Sequence, residues 1–217
     1  MQKDAIIQAI KQVKETSPKR KFKQSFDLII NLKDLDLKKN EQQVDFFGTL
    51  PAPTGKRKKI CALVDAGLKA EASKVCDGVI SDDEFDRYAK DKKAAKKLAT
   101  EYDFFIAQAN LMAKVAAAFG RALGPKGKMP NPKAGAVVPL KAQLQPVYEK
   151  LQNTTRISAK VTPIIQLMIG TEDSKDDDIA NNVTSIYNQI VQKLPQEENN
   201  IKSVFLKLTM GKPVRLK

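Results

Sequence analysis

The sequence predicts a mixed architecture of α/β and α+β type in two domains. An α+β domain is built from both chain ends, residues 1–57 plus 153–217. A Rossmann-like α/β domain, residues 58–152, is inserted in it. Three observations carry this reading. Near the N-terminus, apolar and polar residues alternate with a period of two, as half-buried antiparallel strands require. In the middle, short continuous apolar runs alternate with helical stretches, the texture of a small parallel sheet. Beyond about residue 153 the alternating texture returns. One continuous α/β domain is the alternative that periodicity leaves open.

The elements follow in order. Ile6, Ile10 and Val13 recur at helical spacing, and Pro18 stops the pattern. After the basic knot Lys19-Arg20-Lys21-Phe22-Lys23, Phe26, Leu28, Ile30 and Leu32 share one strand face. A second alternating run, Val44 to Leu50, ends at Pro51-Ala52-Pro53-Thr54-Gly55. The runs Ile60–Val64 and Phe104–Ala107 read as buried strands, followed by helices over 68–75 and 111–123. Ser81 with Asp82-Asp83-Glu84 reads as a capped helix start, and Lys90–Lys97 as a solvated helix. Prolines and glycines at 120–139 mark a loop or linker, and a short helix follows at 146–152. Ile164–Ile169 is a strand, and Ile179, Val183, Ile186, Ile190 and Leu194 form an amphipathic helix whose dipole suits Asp176-Asp177-Asp178. The last strand is Ser203 to Met210.

Composition narrows the function. The 217 residues include 38 Lys and Arg against 25 Asp and Glu, a net charge of +13. A polyanion such as nucleic acid is the partner class this favours, and both candidate domains are basic. Histidine is absent, which excludes His-based triads and His metal sites. Two cysteines, Cys61 and Cys76, make no disulfide framework and fit a reducing, intracellular compartment. No apolar run approaches a membrane span, and the first residues do not read as a secretory signal.

The richest segment is the last strand. Parity puts Val204, Leu206 and Leu208 on the core face and Ser203, Phe205, Lys207 and Thr209 on the open face. Hydroxyls, an aromatic ring and a cation in a row suit a nucleic-acid backbone, and Gly211 lets another backbone approach. An ordinary solvated strand face ending in a turn is the competing reading. The acid-free loop Leu123–Lys133 is rich in Gly, Pro and Lys, but its spacing is not that of a phosphate-binding P-loop. Asp65 ends an apolar strand, where α/β catalytic acids sit, but a single acid there is more often a helix cap or a surface residue. No nucleophile–base pair appears, so an enzyme, for instance a nucleotide-dependent one using the central domain, is the weaker alternative to a binding protein. A DNA-binding protein is a third.

Lys202-Ser203-Val204-Phe205-Leu206-Lys207-Leu208-Thr209-Met210-Gly211 resembles the signature of the family of the first protein of the large ribosomal subunit, the L-one family. So do Gly124-Pro125-Lys126-Gly127-Lys128-Met129-Pro130-Asn131-Pro132-Lys133, Asp103-Phe104-Phe105-Ile106-Ala107-Gln108-Ala109 and Gln24-Ser25-Phe26, and the archaeal members are the more similar. The resemblance implies a non-enzyme that binds large-subunit ribosomal RNA at the mobile lateral stalk. It further implies aid to the release of deacylated tRNA, repression of its own messenger RNA, hinges near Gly55 and Asn153, a monomer off the ribosome, and no cofactor, metal or membrane. By match to the family's contact motif, Phe26, Ser203, Thr209, Met210 and Gly211 are expected at the RNA. Charge and position add Lys23, Lys33, Lys160 and Lys207. Gly124, Lys126, Gly127, Lys128 and Lys133 are expected to face RNA or the gap between domains. Parity disagrees in two places: it sets Phe26 beside Leu28 and Met210 beside Leu208, facing the core. Leu28 and Ile29 also stand where bacterial members carry further acidic and polar residues.

Overall fold

The computed structural model describes residues 3–140 and 142–217. The chain divides into two compact units, Met1–Lys56 with Asn153–Lys217, and Arg57–Gln152. The first unit begins with helix α1 (Lys3–Thr16), which buries Ile6, Ile10 and Val13 on one face. Strand β1 (Ser25–Leu32) alternates half-buried and buried residues throughout, and β2 (Val44–Thr49) follows.

The inserted unit runs β3 (Ile60–Val64), α2 (Ala66–Val75), β4 (Gly78–Ser81), α3 (Phe85–Lys90), α4 (Lys92–Glu101), β5 (Phe104–Gln108), α5 (Met112–Leu123), β6 (Val137–Val138) and α6 (Leu144–Gln152). Its parallel sheet has the order β4-β3-β5-β6. All five residues of β3 are buried, as a strand covered on both faces requires. Helix α5 brings Phe119 to Phe85, ring centroids 5.4 Å apart and edge to face. Cys61 lies in this core. Two details differ from the sequence expectation. Ser81 donates to Glu84 Oε1 instead of capping a helix. Asp91 splits the lysine-rich stretch, ending one helix and capping the next through the amides of Lys93 and Ala94. The helix after β5 runs well into the Gly- and Pro-rich segment, to Leu123.

The chain returns to the first unit with β7 (Thr154–Ala159), β8 (Ile164–Thr171), α7 (Asp176–Val191), β9 (Ile201–Leu208) and β10 (Val214–Arg215). An antiparallel four-stranded sheet has the order β10-β9-β1-β8, and β2 pairs with β7. Strand β1 therefore lies between two strands from the far end of the chain. Helices α1 and α7 share a core with one face of this sheet: Ile10, Leu28, Ile30, Val183, Ile186 and Leu206 are all fully buried there. Lys14 and Lys3 of α1 pair with Asp176 and Asp177 at the start of α7, at 2.6 and 3.2 Å. Asn182 of α7 is buried and binds both the N–H and the carbonyl of Ala52. Among the described residues, no helix is long and apolar enough to cross a membrane.

Candidate nucleic-acid interface

With helices on one face, the four-stranded sheet turns the other outward. Register sets its side chains in rows. Asp27 stands between Met168 and Lys207, Ile29 between Gln166 and Phe205, and Asn31 between Ile164 and Ser203. Arg215 extends the middle row from the edge strand. Asp27, Ile29, Gln166, Met168 and Lys207 line a shallow depression on this face. Burial pushes the Asp27 carboxyl above the ordinary range, and the Lys207 charge opposes that shift.

The depression runs toward the corner where β1 begins and β9 ends. Strand β9 stops at Leu208, so Thr209 and Met210 belong to a turn. Met210 consequently leaves the core parity and is 54% exposed. Thr209 Oγ1 accepts from the Ser25 amide at 3.1 Å, and its own N–H donates to Ser25 O at 3.1 Å. Gln24 is buried beneath the turn. Its Nε2 donates to Pro18 O at 3.0 Å, and its Oε1 accepts from Met210 N at 3.1 Å. One amide thus fixes the turn to the basic segment that precedes β1. A Cβ at Gly211 would collide with Ser17 Oγ, so the close approach that glycine allows there is made by this chain's own segment.

The corner presents two exposed apolar side chains, Met210 and Phe22, the latter 51% exposed. Phe22 is two residues from Gln24, so the chain holds it within about 7 Å of the residue that binds the turn. Lys19, Arg20 and Lys21 around it are exposed. Lys23 pairs with Asp173 at 2.7 Å, and that bond and charge raise its pKa.

The residues expected at the RNA separate into groups. Lys23, Thr209, Met210 and Gly211 gather at this corner, and Lys207 lies on the open face beside it. Lys33 and Lys160 lie at the opposite end of the sheet, where Leu32 N–H donates to Pro163 O. Lys33 is 4.0 Å from Asp34. Lys160 pairs at 2.8 Å with Asp45, which also takes Arg156. Burial pushes Asp45 up, but the bonds and charges of these two cations outweigh it and hold the carboxyl low.

Two expectations are corrected. The Phe26 ring is 0% exposed and packs in the core opposite Leu208 and Gly170, so it supports the corner without presenting a surface. The bulge at this point lies in β8, between the partners of Phe26 and Asp27, and leaves Phe26 facing inward. Ser203 lies on the open side by parity, but it is only 8% exposed, and its hydroxyl accepts from Asn31 Nδ2 at 2.9 Å. Phe22 is the aromatic that the sequence reading passed over. Its signal is a phenylalanine among four cations, outside any strand period.

In the inserted unit, the loop after α5 is fastened to its own surroundings. Lys126 Nζ bonds Thr100 Oγ1, and Lys128 Nζ donates to Tyr102 O at 2.6 Å. Gly124 N–H donates to Gly120 O, and Gly127 takes a positive φ of 64° to turn the chain. Lys133 N–H donates to Asn131 Oδ1 in a short 3-10 turn. Asp65 caps α2 by accepting from Leu68 N at 3.1 Å, the helix-cap role that its position at a strand end allows. Among the described residues, no group of three or more Cys, Asp or Glu is placed to hold a metal ion.

The corner combines an exposed basic segment, two exposed apolar side chains and a hydroxyl-bearing turn. Comparison with known proteins shows the family. The model of the ribosomal protein L1p/L10e family matches residues 13–212. The large ribosomal subunit protein uL1 of Thermococcus kodakarensis is 40% identical over 211 residues, 97% of this chain and 96% of that protein. The protein of the same name from Methanothermococcus thermolithotrophicus is 39% identical over 216 residues, covering 100% and 99%. That of Methanocaldococcus jannaschii is 35% identical over 217 residues, covering 100% and 97%. The match runs through both units and through the corner turn, and the chain belongs to the ribosomal protein L1p/L10e family.

Proposed function

We propose that this protein is a structural component of the large ribosomal subunit that binds its ribosomal RNA through the corner formed by Phe22, Lys23, Thr209, Met210 and Gly211, extended along the open sheet face to Lys207. The observation that carries the reading is the Gln24 clamp. It ties the basic segment that carries Phe22 to the turn of Thr209 and Met210. Cations neutralise phosphates, Phe22 offers a stacking surface, and the turn offers a hydroxyl and backbone at close range for riboses and phosphates. Lys33 and Lys160, at the other end of the sheet, are assigned to a second phosphate track of a longer duplex. Lys126, Lys128 and Lys133 are assigned to the same RNA with a smaller share, because two of them are already bonded within their own unit.

From the family the proposal extends further. The protein acts in the cytoplasm on the ribosome, assists release of deacylated tRNA, represses its own messenger RNA by binding a similar RNA fold, and is a monomer when free.

Filter binding of the full chain to a large-subunit ribosomal RNA fragment, with duplex DNA of equal length as competitor, tests the reading. RNA is expected to win at every salt concentration, with an affinity that falls steeply as salt rises. A flat salt titration, or equal competition by DNA, overturns it. The same assay with the leader of its own messenger RNA tests self-repression.

A further inference from the structure

A second surface lies within the inserted unit. Helices α3, α4 and α5 meet around a groove floored by Ala95, Ala118 and Ala122 and closed at one end by Tyr88. Its rim carries Lys92 and Lys96 of α4 and Arg121 of α5, and no acidic residue lines it. All three cations are exposed, and none has an ion-pair or side-chain hydrogen-bond partner among the described residues. Lys3, Lys14, Lys23, Lys160 and Lys217, by contrast, each have an acid within 3.2 Å. What sets this groove apart is that three cations and no acid stand among the residues that line it.

The floor decides what kind of anion fits. A nucleic-acid backbone takes its bonds from donors, and this floor offers methyl groups. Small side chains on three helices leave room for a fourth element to lie close. An amphipathic helix presenting an apolar stripe fills such a groove, with acids on both flanks meeting the rim. We propose that the α3–α4–α5 groove docks an acidic amphipathic helix of a partner protein, seated by apolar contact with Ala118 and Ala122 and oriented by Lys92, Lys96 and Arg121.

The test uses the full chain and two fluorescent helical probe peptides of equal composition and charge. One places leucines at i, i+3, i+4 and i+7 between glutamates; the other scrambles that order. The ordered peptide is expected to bind at least tenfold more tightly than the scrambled one. Two variants are compared. Lys92→Glu with Arg121→Glu reverses the rim, and Ala117→Phe obstructs the groove at an exposed helix position without changing charge. Each is expected to lose at least tenfold in peptide affinity while its Tm and its affinity for the ribosomal RNA fragment stay unchanged. Equal binding of the two peptides, or no binding, overturns the proposal. So does a parallel loss of RNA affinity in the rim variant, which would assign the surface to nucleic acid. Failure of the RNA reading itself shows only in the wild-type RNA titration, so the two failures are separable.

Discussion

Thr209 Oγ1 and the Ser25 backbone hold each other across the corner of the sheet: the hydroxyl accepts from Ser25 N–H and the Thr209 N–H donates to Ser25 O, both at 3.1 Å. The hydroxyl is thus a structural acceptor as well as part of the RNA contact proposed above. Thr209→Val keeps the shape and removes the acceptor. A neutral hydrogen bond contributes about 1 kcal/mol, so stability is expected to fall by about that much and RNA affinity by roughly three- to tenfold. Calorimetry and filter binding on the same preparation check both.

The two phenylalanines near β1 are expected to respond in opposite ways. Phe26→Ala opens a cavity in a packed core and is expected to cost about 3–5 kcal/mol. Phe22→Ala removes an exposed ring and is expected to change stability by no more than about 0.5 kcal/mol. Loss of a stacked base makes its RNA affinity fall by roughly 5- to 100-fold. Denaturant melts and RNA titrations of both variants separate the roles.

Lys23 must leave Asp173 to reach a phosphate. Exposed pairs are weak, so Asp173→Ala is expected to strengthen RNA binding by only about two- to fivefold. Lys23→Ala is expected to reduce the slope of log affinity against log salt by roughly one. Salt titrations of both variants check the pair of outcomes.

Asn182 binds Ala52 N–H, Ala52 O and Ile169 O at 3.0, 3.1 and 2.8 Å. Asn182→Ala strands three buried backbone groups, each costly to leave unmade, and is expected to destabilise its unit by about 2–4 kcal/mol. Hydrogen exchange at Ala52 is expected to accelerate in parallel. Unchanged exchange there would remove Asn182 from this role.

Burial pulls the Lys58 pKa down to about 8, while the Asp103 charge opposes the shift. Between that value and the ordinary lysine range, the unfolded chain holds a proton that the folded chain has lost. Stability therefore gains a contribution as pH rises through that window. Lys58→Met removes the titrating group, so the Tm of the wild type is expected to rise relative to the variant between about pH 8 and pH 10.5. Scanning calorimetry at four pH values across the window checks the sign.

Much of the framework was legible because burial has a period. Phe26, Leu28, Ile30 and Leu32 alternate in sequence and are buried in the structure, and Ile179 to Ile190 keep the helical spacing of a buried face. What escaped was short, weakly patterned or set by a partner. β6 and β10 have two residues each, and most of β7 is polar. Parity placed Phe26 inward correctly and misplaced Met210, because a period says nothing about where a strand stops. It put Ser203 on the open side but could not show that Asn31, 172 positions away along the chain and beside it only through the sheet, takes up the hydroxyl. Phe22 carried no periodic signal at all. Its role rests on Gln24 bonding to residues on both sides of the corner, a relation between distant parts of the chain.

The sheet order β10-β9-β1-β8 has a consequence for biosynthesis. Strand β1 leaves the ribosome early with two bare edges, and both of its neighbours are encoded more than 130 residues later. At translation rates of roughly 5–20 residues per second, that interval lasts on the order of ten seconds. The inserted unit is contiguous in sequence and completes its own sheet in the meantime. The nascent chain therefore carries a finished parallel sheet beside an apolar ribbon awaiting its mates. The cationic residues just ahead of that ribbon are placed to discourage premature self-association until the last strand arrives.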